Sequence, residues 1–158
     1  MKSVFLAVQE KLGEVLGLQY IDKNWGQLLI EQPPVKFPCA LLDISSVDYQ
    51  QLGGLGQFAE GVLEITVCNY RMASSSARSA KKDEAYLVFD VIEAIHQKLQ
   101  GWSNGEFQPL IRVGIRKLEA GASYEIYKVS FQTGWRVLKE DRMVELGVVP
   151  EVVLVQHD

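Results

Sequence analysis

Histidine and cysteine are scarce in this sequence, with two of each among 158 residues. The histidines, His96 and His157, lie far apart, and neither heads a His-Glu-x-x-His pattern. No Cys-x-x-Cys occurs either, so the usual zinc-ligand spacings are missing. Cys39 and Cys68 each sit inside an apolar, strand-like stretch, which reads as two buried thiols in a reducing compartment. A disulfide between them stays open, because it requires their strands to be neighbours. No run of 18 apolar residues is present, which excludes a bilayer-spanning helix. The opening MKSVFLAVQEKLGEVLGL starts like a secretion signal, but Gln9, Glu10 and Lys11 interrupt it and no small-residue cleavage site follows. The expectation is a chain made and used in the cytoplasm. Positive charge is also short: 16 Lys and Arg against 20 Asp and Glu give a net charge of −4. That disfavours a general nucleic-acid binder, which needs a basic face to neutralise phosphates, although it leaves room for a local basic patch.

What is present is an ordinary globular composition, with 47% apolar and 23% charged residues. The length suits one domain, and a chain of this size buries roughly two thirds of its unfolded surface without help from metals or disulfides. Phe5, Val8, Leu12 and Val15 or Leu16 recur at helical spacing and predict a helix over Val4 to Leu16, with Ser3 as N-cap and Gly17 as stop. Trp25, Leu28, Leu29 and Ile30 read as a short strand that breaks at Pro33-Pro34. Cys39 to Tyr49 reads as a second strand, with Ala40, Leu42 and Ile44 on one face and Asp43 and Ser45 on the other. Leu52-Gly53-Gly54-Leu55-Gly56 reads as a hairpin loop, and Ala59 to Tyr70 as the clearest strand, with Ala59, Gly61, Leu63, Ile65 and Val67 facing the core.

Arg71 to Lys82 is small, polar and basic, and reads as a mobile loop leading into a helix. Asp83 to Gln100 predicts one continuous helix with a stripe of Ala85, Val88 or Phe89, Ile92, Ile95 and Leu99. Its early acids, late Lys98 and following Gly101 suit the helix dipole and a glycine stop. Leu110 to Leu118 alternates Ile111, Val113 and Ile115 with Arg112, Gly114 and Arg116, and a turn over 120–123 leads to a strand carrying Tyr127, Val129, Phe131, Thr133, Trp135 and Val137 on one face. The order predicts an α+β domain over residues 1–142: an antiparallel or mixed sheet of about five strands with two helices packed on one face. Residues 143–158 remain as a C-terminal arm or edge strand, with an apolar stretch from Val148 to Val155 suited to pairing with a neighbouring subunit.

Chemistry is hard to find. His96 reads as a helix-flank residue without ligands around it, and His157 as a terminal residue. The pairs Asp83-Glu84 and Glu140-Asp141 read as helix-start or solvated charge. Ser74-Ser75-Ser76 lacks a strand-turn-helix elbow. Gly53-Gly54-Leu55-Gly56 does not lead to Gly-Lys-Ser/Thr or to a helix, as a phosphate loop must. No catalytic, cofactor-binding or metal-ligating residue is expected, and the chain is read as a non-enzyme. The basic set Arg71, Arg78, Lys81 and Lys82 has two readings: a solvated loop, or a contact for an acidic partner surface or for nucleic acid passing nearby. It lacks interleaved aromatics for base stacking. Arg112, Arg116, Lys128 and Arg136 extend it if both strands turn those residues to solvent.

At the level of layout the chain resembles the tail terminator, or tail completion, proteins of long-tailed bacteriophages and prophages. The residues that carry the resemblance are the Phe37-Pro38 pair, the strand Ala40-Leu41-Leu42-Asp43-Ile44, the strand Gly-Val-Leu-Glu-Ile-Thr-Val at 61–67, one long helix with Leu99 near its end, and the closing strand Tyr-Lys-Val-Ser-Phe-Gln-Thr-Gly-Trp-Arg-Val at 127–137. The likeness spans about residues 3 to 137. It implies a homo-oligomeric ring, expected as a hexamer, that caps the tail tube and joins it to the head. The implied partners are other tail and head-completion proteins, with DNA near the basic loop, no membrane and no cofactor. The implied location is the host cytoplasm during assembly and then the virion. Competing readings are a head–tail connector or neck protein, a small ligand-binding or regulatory domain outside any phage, and, last, an enzyme whose residues converge only in space.

Overall fold

The computed structural model describes residues 1–138 apart from 55, 72, 121 and 122, so the expected C-terminal arm over 143–158 lies outside the described residues. The first helix, α1, spans Lys2–Leu12 and buries Val4, Val8 and Leu12, one residue per turn on a single face. It is shorter than the apolar pattern suggests. Gly13, which costs more backbone entropy in a helix than other residues, follows Leu12, and its N–H still bonds back to Gln9 and Glu10. Val15 remains buried, Leu16 is exposed, and Ser3 lies inside the helix rather than capping it.

The expected strand at Trp25–Ile30 is not there. Strand β1 is Tyr20–Lys23, and Gln27–Leu29 forms a single 3-10 turn after Gly26, whose φ is 95°. Side-chain hydrogen bonds explain the change. Asp22 accepts from the Tyr20 hydroxyl at 2.9 Å and from the Lys23 N–H at 2.7 Å, and Gln27 donates to the Lys23 carbonyl at 2.8 Å. These bonds curl the chain where bare apolar periodicity suggests extension.

Strand β2 runs over Cys39–Gly53 and β3 over Gly56–Tyr70, joined by a tight turn with Gly53 and Gly54 at positive φ. After the 71–81 loop come a one-turn helix α2 at Lys82–Ala85 and the longer α3 at Leu87–Leu99. The expected continuous helix is therefore interrupted at Tyr86, whose φ of −101° and ψ of 4° leave the helical region. Strands β4, Ile111–Leu118, and β5, Tyr124–Leu138, close the described chain. The sheet order is β1-β2-β3-β5-β4; β1 runs parallel to β2 and every other pair is antiparallel. This is the α+β arrangement expected, a mixed five-stranded sheet with its two longer helices on one face.

The core lies between those helices and the sheet. Val8, Leu12, Ile92, Ile95 and Leu99 pack on Leu63, Ile65, Val129 and Phe131. Val88, not Phe89, continues the α3 stripe inward; Phe89 is exposed and its ring lies 5.3 Å from that of Tyr127. The other sheet face is not simply wet. Cys39, Leu41 and Cys68 form a second small cluster there, against which Leu28, Val35 and Phe37 pack. The 28–37 stretch thus covers the back of the sheet at one end.

Two glycines let aromatic rings lie flat on the β3–β5 pair, one on each face. A Cβ on Gly134 would come within 2.5 Å of the Phe58 ring, and a Cβ on Gly61 within 3.1 Å of the Trp135 ring. In strands, such glycines mark close approach, here by a cross-strand ring.

Candidate interaction surfaces

The loop between β3 and α2 places the four basic candidates differently. Arg71 is anchored: its N–H donates to the Ser123 carbonyl at 2.8 Å. Its side chain lines a cleft of about 280 Å³ together with Tyr86, Phe89, Lys117, Glu125 and Tyr127. Arg78, Lys81 and Lys82 are exposed further along the loop. Among the described residues none of the four makes an ion pair. The cleft is mixed in charge, because Glu125 sits between the cations. Lys117 pairs with Glu125 at 3.3 Å and lies 5.7 Å from the centre of the Tyr127 ring.

The basic outer sheet face forms only in part. Arg116 and Lys128 are register partners on the back of β4 and β5, but Lys128 is bonded to Glu64 on β3 at 2.6 Å. Arg136 is exposed near the far end of β5, whereas Arg112 falls opposite Phe131, on the helix side of the sheet. A register shift between Arg112 and Gly114 causes this: a bulge turns the side chains before it to the other face. The alternating residues Ile111, Val113 and Ile115 therefore do not share one face: Ile111 lies opposite Gln132 on the back of the sheet and Ile115 opposite the core residue Val129 on the helix side. The three residues are 47%, 53% and 48% exposed along the last strand of the sheet.

Elsewhere, a cleft of about 400 Å³ opens between Phe58, Glu106, Gln108, Trp135 and Arg136. The indole N–H of Trp135 and Nδ1 of His96 are buried without a hydrogen-bond partner among the described residues. His96 has no carboxylate bonded to it, and His157 lies outside the described residues. Among the described residues no three His, Cys, Asp or Glu side chains gather as metal ligands, and no helix is long and apolar enough to cross a membrane.

The two cysteines are free, buried and directly opposite each other on β2 and β3. The hydrogen bond with Cys39 and the burial of both groups push the Cys68 thiol up, so it stays protonated. Asp22 behaves oppositely. Partial burial works to raise its pKa, but hydrogen bonds from Tyr20, the Lys23 N–H, Trp25 and Gln27 outweigh that and hold it below the usual carboxylate value.

No family model matches the chain, and no curated protein matches it. A solved structure does. It is the virion of a native gene transfer agent particle, one chain of which superposes with a TM-score of 0.53 at 13% identity. The alignment covers 85% of this chain and 95% of the other, so the shared fold is nearly the whole of that virion protein. The overlap is too long to reflect a common hairpin or helix pair alone. Sequence reasoning located the two hairpins, but it missed the exposed face of β4 and the Tyr86–Phe89 ledge, because the bulge and the helix break leave no mark in apolar spacing.

Proposed function

We propose that this chain is a structural protein of a phage-like particle, and within it a tail terminator: a subunit that assembles into a ring, caps the tail tube and presents the surface that meets the head. The observation that carries the reading is the near-complete overlap of its fold with a gene transfer agent virion protein. The layout of helix, hairpin, helix and hairpin supports the finer assignment, since it is the order the tail terminator resemblance implies. So does the kind of surface available. The exposed edge strand and the cationic loop are tools for protein association, and a ring requires heterologous contacts that close by rotation. The basic loop at Arg71, Arg78, Lys81 and Lys82 is then the surface nearest the DNA path or an acidic tube face. A role in catalysis has no support from the clefts described, and the chain is read as a non-enzyme.

Deleting the gene from a particle-producing strain tests this. Electron microscopy should show tubes of uncontrolled length without heads, and added purified protein should cap tube ends. Tubes of normal length that merely fail to join heads would instead make the chain a connector or neck protein. Intact, joined particles would exclude both.

A further inference from the structure

Strand β4 is the last strand of the sheet, and among the described residues no strand pairs with its outer edge, although the Arg112 N–H near its start donates to the Gln100 side-chain oxygen at 2.9 Å. Its sequence is unusual for an edge. Ile-Arg-Val-Gly-Ile-Arg-Lys-Leu carries three cations, no carboxylate, and three β-branched aliphatics that are about half exposed. An eight-residue edge with apolar side chains invites another strand, and charge decides which one. A second β4 is repelled, because Arg112 and Arg116 of each would be brought together, Lys117 being already paired with Glu125. An acidic strand is attracted.

The chain contains such a segment. Residues 143–158 read Met-Val-Glu-Leu-Gly-Val-Val-Pro-Glu-Val-Val-Leu-Val-Gln-His-Asp: three acids, no Lys or Arg, and six valines. The charges of β4 and this segment are thus +3 and −3, with His157 counted as neutral. Within it, Glu151-Val-Val-Leu-Val155 has the β-branched composition of a strand. Pro150 lacks an N–H, and it is tolerated at the start of a newly added edge.

We propose that residues 151–155 of one copy add as an outer strand to β4 of a second copy. Direction favours a second copy over the same one. Strand β5 is described as far as Leu138, six residues beyond Gln132, the partner of Ile111. That puts the exit point about 20 Å past the near end of β4. A return onto its own β4 would have to reverse, cross over and run parallel to β4, the less stable ladder. A neighbour can receive the segment antiparallel. Residues 139–150 span up to about 40 Å when extended, enough to reach an adjacent subunit. Each copy then gives one strand and receives one, and where the contact is head-to-tail and its rotation closes, the copies form a ring. The inference rests on self-association, which belongs to the proposed function, but it does not require that the particle have a tail.

Cysteine cross-linking tests it. One chain carries Val113→Cys and a differently tagged chain carries Val153→Cys; the native cysteines are fully buried and do not compete. Mixed at the highest soluble concentration with a short bismaleimide, they should form a mixed dimer that neither chain forms alone. A cross-link found only within a single chain carrying both substitutions would overturn the proposal in favour of return onto the same copy. No cross-link in either arrangement would overturn it outright. In parallel, Glu151→Lys should weaken self-association in sedimentation equilibrium by about tenfold, and adding Arg112→Glu and Arg116→Glu should restore it. Unchanged association in Glu151→Lys would count against the charge pairing. Capping of tubes without the cross-link would sink this inference and leave the tail reading standing; the cross-link without capping would do the reverse.

Discussion

Phe58 lies across Gly134 so closely that the glycine's missing Cβ is part of the packing. Replacing Gly134 with alanine would set the new carbon 2.5 Å from the ring and 3.1 Å from the Ala59 carbonyl oxygen. We expect Gly134→Ala to destabilise by about 1–3 kcal/mol, the usual range for an overpacked site. In a double-mutant cycle by chemical denaturation, Phe58→Ala should recover part of that loss, because only the ring and not the carbonyl is removed. Asp22 supports a second expectation. Its folded pKa lies below the unfolded value of 3.8. Its contribution is therefore present above that value and is lost as pH falls through the lowered folded value. Thermal melts of the native chain and of Asp22→Asn should accordingly differ at neutral pH and converge in acid. A gap that persists at low pH would mean that the side chain acts by packing and not by charge.

Among the elements, the most legible were those whose two faces differ over a long run. Strand β3 shows its alternation from Ala59 to Val67 because one face meets two helices and is buried, while the other is half-buried over most of that run. Strand β5 is legible for the same reason. The elements misread were governed by interactions that apolar spacing does not carry. The 25–30 stretch curls because Asp22 and Gln27 supply local hydrogen bonds. Strand β4 splits its aliphatics between the two faces because of a bulge, and α2 parts from α3 because Tyr86 leaves helical angles. The cover over Cys39, Leu41 and Cys68 comes from Leu28, Val35 and Phe37 in the irregular stretch just before β2, which has no periodic pattern to show it. The basic loop was legible as composition but not as geometry: its spacing does not show that Arg71 lines a cleft with Tyr86, Phe89 and Tyr127. Because Arg78, Lys81 and Lys82 are exposed and make no described ion pair, replacing all three with alanine should leave stability within about 0.5 kcal/mol. If the loop meets an acidic tube surface, the same variant should lose salt-sensitive binding to isolated tubes in a co-sedimentation assay. Unaltered binding would return the loop to the role of a solvated connection.

For the molecule as a whole, the sheet divides the surface into unlike parts. One face is closed by α1 and α3, and one end of the other by the 28–37 stretch. Among the described residues that leaves the two sheet edges, β1 and β4, the basic loop and the outer half of the β2–β3 hairpin open to other chains. The hairpin has a mechanical consequence. Burial along β2 gives way to exposure near the bulge between Ile44 and Ser46, and the strand continues from there to Gly53. From bulge to turn is roughly 26 Å, and β5 stays paired with β3 along all of it, Gly56 lying opposite Leu138, so three strands and not two carry the tip. Tyr49 and Leu52, exposed on that outer arm, are therefore held on a braced end of the sheet, where a neighbour meets a surface that does not swing with the β2 bulge.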